Sequence, residues 1–202
     1  MDLSNITYQG PEFQEDHEIE SLLPDNLLSL LKQINGFIQF AGGLHLRGLC
    51  KEPEWHSLRA ALLGENAIHK LYPVVEKTDI PFAQDCVADQ YLLRDRIVYK
   101  LFAETGELES LDFGLGSFLS AASDDPVEFL GMEPLLQLQN QEQSLEPGQV
   151  IHVYPPFCTE KAENGVSLKP VSIAEALMFL SRFSKQINSV GNGEQIEVRV
   201  TE

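Results

Sequence analysis

The sequence predicts an α+β fold in which helices flank a mainly antiparallel meander sheet. Two runs of branched and aromatic residues, Gln90–Leu93 and Ile97–Leu101, are separated by only three residues, which predicts a β-hairpin. A second turn follows over Glu104–Glu107, where Gly106 can adopt a positive φ. Helical patterns are interspersed with these hairpins, which favours α+β over a doubly wound parallel sheet.

The stretch from Ile80 to Leu119 contains a proline-led start, both strand-like runs and both turns. Two consecutive hairpins form an antiparallel meander, so we expect this stretch to form the centre of the sheet. A short helix is predicted over Asp112–Ala122, although Gly114 and Gly116 weaken it.

The part of the chain before the meander begins with twenty polar and acidic residues without a clear period, which predicts a flexible lead or a loosely docked arm. A helix is predicted from Leu23-Pro24-Asp25 to Asn35-Gly36, because apolar residues recur on one face and proline and aspartate suit a helix start. This part is also predicted to contain two short strands at Phe37–Phe40 and Leu44–Leu46, a helix at Trp55–Leu63 and a further strand at Val74-Val75.

The part after the meander is predicted to contain further helices and one clear strand. Ser172-Ile173-Ala174-Glu175 is a capping box, which begins a helix with an apolar stripe extending to Ile187. A helical turn is predicted at 124–130, and a glutamine-rich helix end with a surface loop at 135–143. A strand at Val150–Tyr154, a surface loop at 159–167 and an alternating edge strand at Gln195–Val200 are also predicted.

The composition indicates a globular protein. The chain of 202 residues is 43% hydrophobic, enough to bury a core. No apolar run approaches the ~18 residues that span a bilayer, and the acidic beginning is unlike a secretory signal. The three cysteines, Cys50, Cys86 and Cys158, are odd in number and widely spaced, which fits a reducing compartment. We therefore expect a soluble cytoplasmic protein.

The net charge of −17 is distributed unevenly. Residues 1–31 contain seven acidic residues and residues 101–160 contain eleven, with no Lys or Arg in either segment, so 18 of the 31 acidic residues lack a basic neighbour in sequence. Such a field disfavours binding to nucleic acids and membranes and favours a basic protein partner. The alternative is that the acidity only keeps the protein soluble.

Two patterns could indicate a metal or catalytic site, and each has a simpler explanation. His45, Cys50 and His56 come nearest to metal-ligand spacing, but no second ligand pair completes a known zinc pattern. Gly114-Leu115-Gly116-Ser117 lacks the second glycine of G-x-S-x-G and fits a helix start with small residues. We expect no metal and no cofactor.

Acidic residues of the meander are the candidate binding residues. Asp85, Asp89 and Asp95 could supply a catalytic carboxylate pair, but no histidine or metal motif accompanies them, so exposed turn carboxylates are expected. Together with Glu104 and Glu107 they are predicted to contact a basic protein partner.

Aromatic residues are predicted mainly to form the core. This applies to Trp55, Tyr91, Tyr99 and Phe118, although a single tryptophan can also be an interface hot spot. Tyr154-Pro155-Pro156-Phe157 forms either a rigid surface corner that docks a partner or a strand end packed on the core.

Several short segments, in this order, resemble the SUKH superfamily, a group of bacterial immunity-type proteins related to the fungal cell-wall-assembly regulator. The similarity covers about residues 21–131. The family usually has glycine just before the aspartate of the central block, where this chain has Ala88 before Asp89. The segments are Leu23-Pro24, Asn35-Gly36, Leu46-Arg47-Gly48, Trp55, Ile80–Asp85, Asp89–Leu93, Ile97–Tyr99 and Phe118-Leu119.

The resemblance implies a domain division and a function. The SUKH-like core would follow the acidic lead of residues 1–20, and a C-terminal extension over 132–190 would precede a tail over 191–202. The family implies an α+β fold without enzymatic activity, and its bacterial members are thought to bind and neutralise toxins, often nucleases. We therefore expect a non-enzymatic immunity protein that occludes a basic toxin domain; an intracellular scaffold and a small hydrolase are the alternatives.

Overall fold

Residues 4–189 are described by the computed structural model of the chain, and they form the predicted α+β fold. One antiparallel sheet of seven strands has its strands in chain order, each paired with the next. The strands are β1 Ile6–Gln9, β2 Phe37–Gln39, β3 Leu44–Leu46, β4 Ile80–Asp85, β5 Gln90–Arg94, β6 Ile97–Leu101 and β7 Leu108–Ser110.

Eight helices flank the sheet within the described residues. They are α1 His17–Glu20, α2 Asp25–Gln33, α3 Leu58–Leu63, α4 Ile68–Leu71, α5 Leu115–Asp124, α6 Pro126–Leu130, α7 Glu133–Asn140 and α8 Ile173–Ile187. None of them is long and apolar enough to cross a membrane.

The predicted meander is confirmed by β5, β6 and β7. Asp95 and Arg96 connect β5 to β6 with φ values of 49° and 69°, so both residues have the positive φ that a type I′ hairpin turn requires. Gly106, with φ of 76°, lies in the turn before β7. β4, whose residues are all buried, is the middle strand of the sheet.

Of the two forms predicted for residues 1–20, the flexible lead is wrong, because the described part, residues 4–20, is docked against the rest of the fold. β1 pairs with β2, and Tyr8 in β1 packs its ring against Trp55 and His56 at centroid distances of 5.2 and 5.4 Å. Further along, Arg59 donates hydrogen bonds to both carboxylate oxygens of Asp16. Alternation over only four residues is too short to mark a strand by sequence pattern alone.

Two predicted elements before the meander differ from the structure. Val74-Val75 is not a strand, because the chain leaves α4 and passes through turns to β4. The predicted helix over Trp55–Leu63 is a 3₁₀ turn, Glu54–His56, followed by α3, and the side chain of Ser57 caps α3 by accepting a hydrogen bond from Ala60 N–H.

The main core lies between one face of the sheet and the helices α2 and α5–α7. Tyr91 and Phe118 are buried in it as predicted, with ring centroids 4.7 Å apart. The predicted core residues Trp55 and Tyr99 are only partly buried and lie at the margin of a second, smaller core. Tyr99 is partly exposed, and the guanidinium of Arg94 lies over its ring, 5.1 Å from the centroid.

A separate two-stranded sheet, which we call the second hairpin, covers one end of the seven-stranded sheet. It consists of β8 Gln149–Tyr154 and β9 Ser167–Ser172, and Ile151 N–H in β8 donates a 2.7 Å hydrogen bond to the carbonyl of Cys86. β8 was predicted, but β9 was not: only Ser167 falls in the predicted loop over 159–167, and Pro170 lowers the strand signal of the rest. Ser172 caps α8 as predicted by accepting a hydrogen bond from Glu175 N–H. The predicted edge strand Gln195–Val200 lies outside the described residues.

Candidate functional site

The connection between β4 and β5 is organised by the carboxylate of Asp85. Its Oδ1 accepts hydrogen bonds from the backbone N–H groups of Val87 and Asp89, each at 3.0 Å. The carboxylate therefore points toward the backbone of its own turn, as in an Asx turn. Asp85 is also buried, with 1% of its surface exposed.

The ammonium group of Lys100 joins this turn to β6. Lys100 Nζ lies 3.1 Å from Asp85 Oδ2 and 3.2 Å from Asp89 Oδ2. The other oxygen of Asp89 accepts a 2.8 Å hydrogen bond from Ala103 N–H. Two carboxylates thus share one buried cation, and both are fixed in position by backbone donors.

Burial changes the protonation of this triad. Desolvation, together with the neighbouring Asp85, raises the pKa of Asp89 to about 7. Desolvation also raises the pKa of Asp85, although Lys100 opposes it. Desolvation lowers the pKa of Lys100, but the attraction of the two carboxylates outweighs it, and the net shift is upward. Lys100 is therefore charged at neutral pH, whereas Asp89 titrates close to it.

Asp89 lies at the edge of a cleft of about 370 Å³ between the meander and the second hairpin. We call it the acidic cleft. Its walls come from the β4–β5 and β6–β7 connections, β7, β8, the segment after β8 and α8. Its lining residues are Val87, Asp89, Phe102, Glu104, Thr105, Glu107, Glu109, Ile151, His152, Val153, Phe157, Cys158, Ala176 and Leu180.

Four carboxylates and no Lys or Arg line the acidic cleft. Glu104 has both oxygens engaged, because they accept hydrogen bonds from the N–H groups of Phe157 and Cys158 at 3.0 and 2.6 Å. This holds the segment after β8 against the β6–β7 turn. Glu107 and Glu109 are exposed, and they give the mouth of the cleft a negative charge.

The structure brings together four of the five residues predicted to contact a partner. Asp89, Glu104 and Glu107 line the acidic cleft, and Asp85 lies behind Asp89. Asp95 is exposed but lies in the β5–β6 turn, at the opposite end of these strands and roughly 13 Å along β5. The expectation that Asp85 and Asp89 are exposed is wrong, because both serve the turn amides and Lys100.

Sequence reasoning missed the apolar walls of the cleft. Phe102, Ile151 and Leu180 come from three distant segments, and no local pattern predicts that they meet. The sequence signal for this surface was the aromatic-proline segment Tyr154-Pro155-Pro156-Phe157. Of its two predicted forms, the structure has the surface corner, in which Tyr154 and Phe157 are 45% and 49% exposed.

The cleft also contains a thiol and an imidazole. Desolvation and the adjacent Glu104 carboxylate raise the pKa of Cys158 to about 12, so its sulfur is protonated at neutral pH. Desolvation lowers the pKa of His152, whose ring packs edge-on against Phe179 at 4.9 Å. A nucleophilic cysteine needs a thiolate, and this environment suppresses it.

His45 and His56, two members of the sequence's nearest metal pattern, contact each other instead. His45 Nε2 lies 2.9 Å from His56 Nδ1, and His56 Nε2 lies 3.1 Å from the carbonyl of Asn35. Desolvation lowers the pKa of His56 to about 4 and moves that of His45 well below its usual value. Among residues 4–189, no group of three or more His, Cys, Asp or Glu side chains could hold a metal ion.

Next to these histidines, Arg47 is buried without an ion-pair partner in the described part of the chain. Its guanidinium donates 2.7 Å hydrogen bonds to the side-chain oxygens of Gln84 and Gln90 and a 2.9 Å bond to the carbonyl of Pro81. Burial lowers the pKa of Arg47 to about 9. These neutral acceptors tie β3, β4 and β5 together, which is a structural role that the sequence pattern did not reveal.

Comparisons with known proteins support the fold alone. No protein-family model matches the chain, and no curated protein matches it. Among solved structures, the chain is similar to Atu4351 from Agrobacterium tumefaciens, with a TM-score of 0.52 and 12% sequence identity. The similarity covers 89% of this chain and 86% of that one.

Proposed function

We propose that this protein is a non-enzymatic binding protein of the bacterial immunity type, which neutralises a basic toxin domain in the cytoplasm by covering it. The observation that carries the proposal is the acidic cleft, whose lining contains four carboxylates and no Lys or Arg. Because Lys100, which is not part of the lining, pairs with Asp89, the negative field of the cleft comes mainly from Glu104, Glu107 and Glu109. A cleft of one charge sign with apolar walls concentrates the field and attracts a partner of opposite sign.

The charge of the whole chain supports the same partner. At a net charge of −17 the protein repels nucleic acid, whereas a nuclease must present a basic surface to bind phosphates. Covering such a surface requires an interface of the usual ~1,600 Å², larger than the cleft alone. Phe157, which lines the cleft, and Tyr154, at the end of β8, are both exposed and would extend the contact, since aromatic residues are enriched at interfaces.

The SUKH resemblance supports the proposal at one specific position. Ala88 occupies the place where the family usually has glycine, and it has a φ of 73°, a conformation that favours glycine. The backbone of this turn thus has a positive φ, which explains the family's preference for glycine. Ile80–Asp85 and Tyr91, which belong to the same pattern, are buried in the sheet.

An intracellular scaffold is the second candidate function, because the cleft has apolar walls. Phe102, Ile151 and Leu180 could receive a hydrophobic segment as well as a charged one. The dependence of affinity on salt concentration distinguishes the two candidate functions. Binding dominated by the carboxylates weakens as the salt concentration rises, whereas binding dominated by the apolar walls does not.

The test begins with the gene immediately upstream of this chain's gene. Where it encodes a large secreted protein with a toxin-like C-terminal domain, that domain is titrated with this protein by calorimetry. We expect a one-to-one complex whose association constant falls about tenfold between roughly 0.05 and 0.5 M salt. A complex insensitive to salt would support the scaffold instead. Absence of binding, together with no protection on co-expression, would remove the immunity proposal.

A further inference from the structure

We infer that the acidic cleft binds a lysine side chain of the partner, and that it prefers lysine to arginine. This inference rests on the proposed function, because it names the group that a basic partner inserts. It follows from three properties of the cleft: an aromatic and aliphatic interior, carboxylates at its edge, and the way in which those carboxylates are already bonded.

The interior suits the methylene chain of a lysine. Phe102 and Phe157 provide aromatic surface, and Ile151 and Leu180 provide aliphatic surface within about 370 Å³. Long basic side chains bury their methylenes on apolar surface while the charged end remains near polar groups. Aromatic rings also attract a cation directly, as the 5.1 Å distance of Lys100 Nζ from the Phe102 ring illustrates.

The carboxylates of Glu104 and Asp89 suit a compact ammonium group better than a guanidinium group. Both oxygens of Glu104 accept backbone hydrogen bonds, and both oxygens of Asp89 have donors in Ala103 and Lys100. A guanidinium group binds best to two unoccupied oxygens of one carboxylate, in a planar fork. An ammonium group has three donors that rotate freely, so it can share them among single oxygens of several carboxylates.

Glu107 and Glu109 complete the site at its mouth. They are two residues apart at the start of β7, so their side chains lie on the same side of the strand, and both line the cleft. Neither is buried. They can therefore be changed without disturbing the core, which makes them the residues to vary in a test.

The test uses small probes, so that it does not depend on a protein partner. Methyl-labelled protein is titrated with Nα-acetyl-lysine methylamide, its arginine analogue and its neutral norleucine analogue, and the methyl signals of Ile151 and Leu180 are followed by NMR. We expect saturable shifts with the lysine probe, several-fold weaker binding of the arginine probe and no binding of the norleucine probe. Shortening the lysine chain should weaken binding about fourfold for each methylene removed.

Variants locate the effect in the cleft. The double variant Glu107→Gln/Glu109→Gln should reduce affinity for the lysine probe, whereas Asp95→Asn, which removes an exposed charge at the other end of the strands, should leave it unchanged. Equal affinity for lysine and arginine probes, binding of norleucine, or no shift at Ile151 and Leu180 would overturn the inference. None of these results would affect a measured complex with a basic domain, so the two proposals fail separately.

Discussion

Lys100 lies 3.2 Å from the carboxylate of Asp89, at the point where the sheet meets the acidic cleft. The same ammonium group is 3.1 Å from Asp85, which holds the β4–β5 turn. One cation thus links the centre of the sheet to the wall of the candidate site. The stability of the turn and the charge of the cleft depend on the same group, and each can be tested separately.

Lys100→Met should destabilise the protein by about 3–5 kcal/mol, because removing one partner leaves two buried carboxylates without their cation. Urea denaturation at neutral pH measures this loss. Lys51→Met, which removes an exposed lysine, is the matched control and should change the free energy of unfolding by less than about 0.5 kcal/mol. A loss at Lys100 as small as the control would show that the carboxylates do not need their cation.

The pKa of Asp89, raised by burial and by Asp85 to about 7, predicts a pH-dependent contribution to stability. The unfolded chain loses this proton near pH 4 and the folded protein keeps it until about pH 7. The contribution is therefore fully present below pH 4 and is lost as pH rises through 7, by up to about 1.4 kcal/mol per pH unit. Wild type should lose stability relative to Asp89→Asn over this range. A difference in stability between wild type and Asp89→Asn that does not change with pH would contradict the raised pKa of Asp89.

The two buried histidines predict the opposite dependence on pH. Burial lowers the pKa of His56 to about 4, below the value of about 6.5 in the unfolded chain. Its contribution is complete above pH 6.5 and falls as pH drops toward 4, by about 1.4 kcal/mol per pH unit. Urea denaturation at several pH values should show a smaller slope for His56→Gln than for wild type, with the part due to His45 remaining. An unchanged slope would contradict the lowered pKa of His56.

The hydrogen-bond chain also predicts the tautomers of these histidines. The carbonyl of Asn35 can only accept, so His56 carries its hydrogen on Nε2 and its Nδ1 accepts from His45 Nε2. Nitrogen-15 NMR at pH 6 should therefore show both rings neutral and protonated on Nε2. A ring protonated on Nδ1 would contradict this assignment.

Close packing around the Asn35 carbonyl predicts that Gly48→Ala is strongly destabilising. A Cβ at Gly48 would overlap the Asn35 carbonyl oxygen and come within 2.8 Å of His56 Nε2. We expect a loss of at least about 2 kcal/mol in thermal or urea denaturation. Gly116→Ala is the control, because a Cβ there meets nothing within 4 Å in α5, and it should be neutral or stabilising by up to about 1 kcal/mol. Similar effects of the two variants would contradict the packing argument.

Local sequence signals predicted much of this fold because they have local physical causes. The Asp95-Arg96 turn, the capping of α8 by Ser172 and the ending of α2 before Asn35-Gly36 each depend on a few adjacent residues. β1 and β9 were missed because short strands are stabilised by pairing with distant segments, which no local pattern contains.

The candidate site could be predicted only in part for the same reason. The acidic character of residues 101–160 pointed to Glu104 and Glu107, and both line the cleft. The walls contributed by Ile151 and Leu180 depend on how the second hairpin and α8 pack across the sheet. The burial of Asp85 and Asp89 depends on Lys100, which is eleven residues or more away along the chain.

The central claim, that the acidic cleft covers a basic toxin domain, is tested most directly by a protection assay in cells. A toxin-like domain, where the gene immediately upstream encodes one, is co-expressed with wild type, with Glu107→Lys/Glu109→Lys, or with Asp95→Lys, and survival is counted. We predict protection by wild type and by Asp95→Lys, and loss of protection with the double variant, at equal protein levels. Undiminished protection by Glu107→Lys/Glu109→Lys would contradict the claim.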